Sequence, residues 1–154
     1  MGIDDLDRRI LNALQHDFPL CARPYDVLAQ RLGVEAEVLW RRVTALLDTG
    51  VIRRLGASFD SRILGFSSTL AAIRVRPERV DLATQTIGRY PEVTHSYLRD
   101  HEFNIWFTII AAGEQRLNEI LQEVRTELSL DASDVMNLPM KRLFKLDARF
   151  AAPP

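Results

Sequence analysis

The chain has 154 residues, of which 47% are hydrophobic and 27% charged, with seven Gly and seven Pro; it can bury one or two real cores, and it is neither low-complexity nor collagen-like. Its 20 basic and 21 acidic side chains leave a net charge of −1, so the molecule as a whole has no attraction for a polyanion. One cysteine, Cys21, excludes an internal disulfide and a thiolate zinc site; with no run of about 18 apolar residues and an acidic start, MGIDDLDRR, this points to a cytoplasmic protein without a membrane partner.

From Ile3 to Gln15 the apolar residues Ile3, Leu6, Ile10, Leu11 and Leu14 recur at helical spacing, and Asp4, Asp5 and Asp7 sit where a helix start favours negative charge. After two prolines in HDFPLCARP, where Cys21 is expected as a small buried residue, YDVLAQRLGV reads as a short helix stopped by Gly33. EAEVLWRRVTALLDTG reads as a third helix, with Val38, Leu39, Val43, Leu46 and Leu47 on one stripe and Gly50 as its stop. Two short helices around a Gly turn, after a leading helix, form a helix-turn-helix. VIRRLGASFDSRILG follows as two strand-like pieces around Gly56, in the position of a wing.

Beyond Gly65 the pattern becomes strand FSSTLAAIRV, helix ERVDLATQTIGRY, two strands within VTHSYLRDHEFNIWFTIIA with a turn near Asp100, helix EQRLNEILQEVRTEL and a last strand in VMNLPMKRLFKL. The order β-α-β-β-α-β is the ferredoxin-like plan, with both helices on one face of an antiparallel sheet. The fold class is therefore α+β: a winged helix-turn-helix over 1–62, a ferredoxin-like ligand-binding and dimerisation domain over 63–150, and a disordered tail over 151–154. The sheet face without helices must meet water, a ligand or another sheet, and Trp106 on it favours an association partner.

One strand has unusual contents. Alternation puts His95, Tyr97 and Arg99 on one side, with His101 at the following turn, where an ordinary core strand would carry Val, Ile or Leu. Bland alternatives exist for each: a half-buried strand histidine for His95, a solvated turn for His101, sheet packing for Tyr97 and Trp106, surface charge for Arg99. His16 closes the first helix, where a cation complements the dipole.

The whole arrangement resembles the leucine-responsive regulator (Lrp/AsnC) family, with RRVTALLDTGVIRRLGASFD similar to that family's recognition-helix end and wing. This implies a second half that dimerises and binds small effectors. DNA is disfavoured as a partner by charge: over residues 1–60, eight arginines face nine acids, and Glu35 and Glu37 stand where phosphate would approach. THSYLRDHEFNIWFT resembles the signature region of the siroheme decarboxylases, relatives of those regulators, and RRLGASFDSRILGFSSTLAA is similar to the same family's wing and first strand.

That resemblance implies a carboxy-lyase subunit that converts siroheme to 12,18-didecarboxysiroheme in haem b or haem d1 formation, working as a heterodimer with a paralogous subunit or as a homodimer. A flat, apolar macrocycle with a carboxylate rim needs a greasy slot and several cations, and arginine forks match carboxylates. Losing carbon dioxide from a ring acetate leaves electron density that a proton must quench, and histidine is the side chain whose unperturbed titration lies nearest neutrality. The expected catalytic residues are His95 and His101 as proton donors and Arg99 as carboxylate clamp. Tyr97, Asn104, Trp106, Arg53 and Arg54 are expected substrate contacts, Arg74 and Lys141 further rim cations, and Phe103 and Phe107 further flat contacts. No metal site or cofactor is expected, the iron belonging to the substrate, although His95 could ligate it. Two other readings stay open: an effector-sensing transcription regulator, and a non-catalytic haem-binding subunit of the pair.

Overall fold

The computed structural model describes residues 2–152; the last two residues of the expected tail, 153 and 154, lie outside the described residues. The chain forms two compact units, one running to Ala57 and including the residues from Lys145, the other spanning Ser58–Phe144. In the first unit three helices form: α1 (Asp5–His16), α2 (Pro24–Leu32) and α3 (Ala36–Asp48). Asp4 caps α1, accepting the Asp7 N–H at 2.9 Å while the Asp7 carboxylate accepts the Asp4 N–H at 3.2 Å. His16 lies in the last turn of α1, as its dipole favours. Gly33 and Gly50 take left-handed φ values of 70° and 74°. There the chain closes α2 with Val34 N–H to Ala29 C=O and α3 with Ile52 N–H to Leu46 C=O, bonds that follow from a left-handed stop.

Ile10, Leu28, Leu39 and Val43 are fully buried between the three helices, whereas Ile3 and Leu47, expected on the inner stripe, are exposed. Arg42 reaches from α3 to Asp4 (2.7 Å) and to the buried Asp7 (3.3 Å), tying the third helix to the start of the first. The wing strands do not form: among the described residues no strand lies between α3 and Ser67. Within residues 51–60 only Ile52 is buried, so there is no alternating apolar face to drive pairing. Cys21 is exposed, not buried, because the Pro-rich connection that carries it runs over the surface. The C-terminal segment returns to α1. Gln15 exchanges hydrogen bonds with the Phe150 backbone at 3.0 and 3.2 Å, and Ala152 N–H donates to Asn12 at 3.0 Å.

The second unit contains β1 (Ser67–Ile73), α4 (Val80–Gly88), β2 (Val93–Leu98), β3 (Ile105–Ala111), α5 (Glu114–Glu127) and β4 (Val135–Pro139). The sheet is antiparallel in the order β2-β3-β1-β4. In β3 the odd residues Ile105, Phe107, Ile109 and Ala111 are buried, joining Ala71 and Ile73 of β1 under Ala83 and Ile87 of α4 and Leu117, Ile120, Leu121 and Val124 of α5. The even residues Trp106, Thr108 and Ile110 face the other way, beside Leu70 and Ala72 of β1 and Met136 and Leu138 of β4. Among the described residues no helix is long and apolar enough to cross a membrane.

Phe107 is the largest fully buried side chain of this core. Phe107→Ala is expected to lower the unfolding free energy by about 3–5 kcal/mol, read from the shift in denaturant midpoint at unchanged slope.

Candidate functional site

The polar strand face is produced by a bulge. Val93 pairs with Ile109 on the helix-covered side, and strict alternation would then set His95 opposite the buried Phe107. Instead the register shifts between Val93 and His95, so that His95 pairs with Thr108 and Tyr97 with Trp106. One extra residue, Thr94, turns His95 and Tyr97 onto the helix-free face. There the His95 and Tyr97 rings stack at 6.3 Å with planes 17° apart. Tyr97 stands opposite Trp106 in the ladder, and Trp106 meets the His101 ring edge-on at 6.5 Å. Four rings therefore run across one corner of the open face with an imidazole at each end, and Tyr97 remains 53% exposed.

The β2–β3 turn is held from several sides. Arg99 N–H donates to Asn104 C=O at 2.8 Å, extending the β2–β3 ladder by one pair, and His101 N–H returns to Arg99 C=O at 3.0 Å. Both backbone groups of Phe103 serve the rings: its N–H donates to His101 Nδ1 at 3.1 Å, and its carbonyl accepts Trp106 Nε1–H at 2.7 Å. At the other end, His95 Nδ1 lies 3.0 Å from the Thr94 hydroxyl. Arg99 is exposed and has no ion pair among the described residues.

Other expected contacts have different tasks. The Asn104 amide bonds the backbone, accepting Val75 N–H at 3.1 Å and donating to Val75 C=O at 2.8 Å, which leaves one of its N–H groups and one carbonyl lone pair for a further partner. Arg74 lies one residue beyond β1, not on it. Its guanidinium binds Asp134 at 2.8 Å and Glu102 at 3.3 Å and lies 5.6 Å over the Phe103 ring, so it braces the turn from outside. Phe107 is in the helix-side core and cannot meet a ligand on the open face. Lys141 is exposed beyond the end of β4. Arg53 and Arg54 are exposed residues of the first unit, on the segment after α3.

The bulge and the Asn104 bonds escaped sequence reasoning; the only hint was polar residues where alternation predicted core. Two sizeable concavities of this unit lie elsewhere. One of about 560 Å³ beside Tyr90 is lined by Glu123 and Glu127, the wrong sign for a carboxylate ligand. Another of about 330 Å³ lies by Ser68, Thr69 and Asn137. The ring platform is open surface, so a ligand lying on it is dry only when a second surface covers it. Among the described residues no group of three or more His, Cys, Asp or Glu could hold a metal ion.

Comparison with known proteins gives a consistent picture. Residues 63–145 match the family model described as AsnC-like ligand binding domain, and residues 7–53 match the one described as siroheme decarboxylase NirDL-like HTH domain. The siroheme decarboxylase alpha subunit of Nitratidesulfovibrio vulgaris is 43% identical over 96% of this chain and 82% of its own length. The siroheme decarboxylase NirG subunit of Stutzerimonas stutzeri is 39% identical over 96% of this chain and 99% of its own. Among solved structures, the siroheme decarboxylase NirDL in complex with an iron-uroporphyrin III analogue superposes with a TM-score of 0.72 at 29% identity, covering 95% of this chain and 48% of that one.

The Asp134 carboxyl is held below the ordinary carboxylate range, mainly by its hydrogen bond from Arg74. Its stabilising contribution is complete above the unfolded-state pKa and is lost as pH falls through the lowered folded value. Arg74→Met is expected to raise the titration midpoint of Asp134 toward that of an ordinary aspartate, followed by carbon-13 NMR of the carboxyl; an unmoved midpoint would show that the pair is not formed in solution.

Proposed function

The chain belongs to the siroheme decarboxylase family, and on that premise we propose that it is a decarboxylase subunit that converts siroheme to 12,18-didecarboxysiroheme by non-oxidative loss of carbon dioxide from two acetate side chains. The observation that carries this reading is the ring platform on the helix-free sheet face, flat and apolar across Tyr97 and Trp106, with an imidazole at each end and the unpaired Arg99 following Tyr97 along the chain. A macrocycle lies on the rings by stacking. Arg99 takes a rim carboxylate in a bidentate grip that its fork geometry favours over a lysine's.

In each half of the reaction the bond between the acetate methylene and its carboxyl carbon breaks. The electron pair stays on the methylene carbon, delocalised into the macrocycle, and a proton from a histidine of the platform converts that carbon to a methyl group as carbon dioxide leaves. No electrons are exchanged with a redox partner, and solvent restores the proton to the ring. The sheet must do two things for this: keep the acetate within hydrogen-bond reach of the donor, and exclude bulk water once a second surface covers it. We assign that covering surface to a paralogous subunit, or to a second copy of this chain. The NirDL chain, about half of which matches this one, supports pairing of two such halves.

DNA has no part in this reading. The α3 start carries Glu35 and Glu37, and Arg42, one of the few cations of that helix, is held by Asp4 and Asp7. Arg53 and Arg54, exposed on the segment after α3 of the first unit, stay proposed contacts for substrate carboxylates.

Anaerobic incubation with siroheme, alone and with a paralogous subunit, is expected to give products lighter by two carbon dioxide units in at least one of the two mixtures. In the active mixture His95→Ala and His101→Ala are each expected to slow the first-order step by about 10²-fold or more, at unchanged circular dichroism. Arg99→Ala is expected to weaken siroheme binding more than it slows the chemistry. Binding without mass change in either mixture would leave a haem-binding subunit, and undiminished turnover in both histidine variants would overturn the catalytic assignment.

A further inference from the structure

We infer that the two histidines are not equivalent: Asn104 fixes His101 as a ring that can only donate a hydrogen bond through Nε2, which leaves His95 as the proton source. This rests on the decarboxylase reading for its chemistry, but its structural half stands alone. The β1–β3 register ends with Ile73 opposite Ile105, and its continuation would pair the backbones of Val75 and Phe103. That pair is not made. The Asn104 amide takes both Val75 groups, N–H at 3.1 Å and C=O at 2.8 Å, in place of the Phe103 backbone. Phe103 is thereby released, and its N–H donates to His101 Nδ1 at 3.1 Å while its carbonyl takes Trp106 Nε1–H at 2.7 Å.

A ring nitrogen that accepts a backbone N–H cannot carry its own proton, so the His101 proton sits on Nε2. Such a ring can orient a carboxylate by donating, but it has no second proton to give away, and no free lone pair on Nε2 for iron. His95 faces a different neighbour. The Thr94 hydroxyl, 3.0 Å from Nδ1, can accept as well as donate, so a doubly protonated ring is satisfied there. The proton delivered to the methylene carbon then leaves His95 Nε2, Nδ1 keeping its proton and donating it to the Thr94 hydroxyl oxygen, while His101 holds a carboxylate. Asn104 touches none of the reacting atoms and is a positioning residue.

Glutamine separates the roles, because its side-chain N–H₂ reproduces the Nε2–H donor of histidine but supplies no transferable proton. In the active mixture His101→Gln is expected to recover at least about tenfold of the rate lost in His101→Ala, whereas His95→Gln stays as slow as His95→Ala, the losses being those of a general acid. Equal failure of both glutamine variants would overturn the division. Nitrogen-15 NMR of the parent chain reads the lock without activity: His101 is expected as a single Nε2–H tautomer, and an Nδ1–H tautomer would refute the inference. In Asn104→Ala, with circular dichroism unchanged, the His101 tautomers are expected to mix and kcat to fall with KM nearly constant; a pure Nε2–H signal in that variant would remove Asn104 from the account. If both alanine variants of the histidines turn over normally, the decarboxylase reading fails while the NMR result still decides the lock.

Discussion

Only one face of the four-stranded sheet is covered by helices, so the side to which each strand residue points decides whether it is core or site. In β2 that choice is made by a single bulge. Val93 packs toward α4 and α5, and without Thr94 as an extra residue His95 would take the place of Ser96 opposite Phe107, on the helix-covered side and away from Trp106. The bulge therefore does not rescue a buried imidazole, since Ser96 on the helix side is exposed as well; it decides which residues of this edge strand share a face with Trp106. The platform of His95, Tyr97, Trp106 and His101 depends on that shift.

The turn that completes the platform shows how a side chain can take over a backbone task. Asn104 is close in shape to a peptide group, and by bonding both Val75 groups it ends the β1–β3 ladder without leaving Val75 unpaired. Phe103 is then free to point its own N–H and C=O groups at the two rings beside it. Arg74, with Asp134 and Glu102 as partners, supports the same turn from the outside. The turn is thus held by backbone bonds and by the side chains of Asn104 and Arg74.

The helices and strands were legible because their apolar periods are regular, and the family resemblance rested on the same stretch that forms the platform. The antiparallel sheet and its helix-free face followed from the β-α-β-β-α-β sequence. Particular residues were not legible, and the reason in each case is an interaction distant in sequence. Arg74 looked like a free rim cation because its partner Asp134 is sixty positions away; the part Asn104 takes in the turn was hidden because nothing local reveals that Val75 needs its amide. The wing strands were expected from a Gly-centred spacing that buries almost nothing. The return of the last residues onto α1 depends on Asn12 and Gln15, exposed-looking polar positions with no signal of their own. Thr94, an ordinary strand residue by composition, carries no mark of a bulge.

The central claim is that the macrocycle lies on the ring platform of the open sheet face. The chain has two tryptophans, Trp106 on that platform and Trp40 on α3 of the other unit. The most direct measurement is therefore the broadening of the two indole N–H signals by the paramagnetic iron of siroheme, added anaerobically in stoichiometric amounts. Loss of the Trp106 signal is the predicted result; bound siroheme that leaves Trp106 sharp would contradict the account.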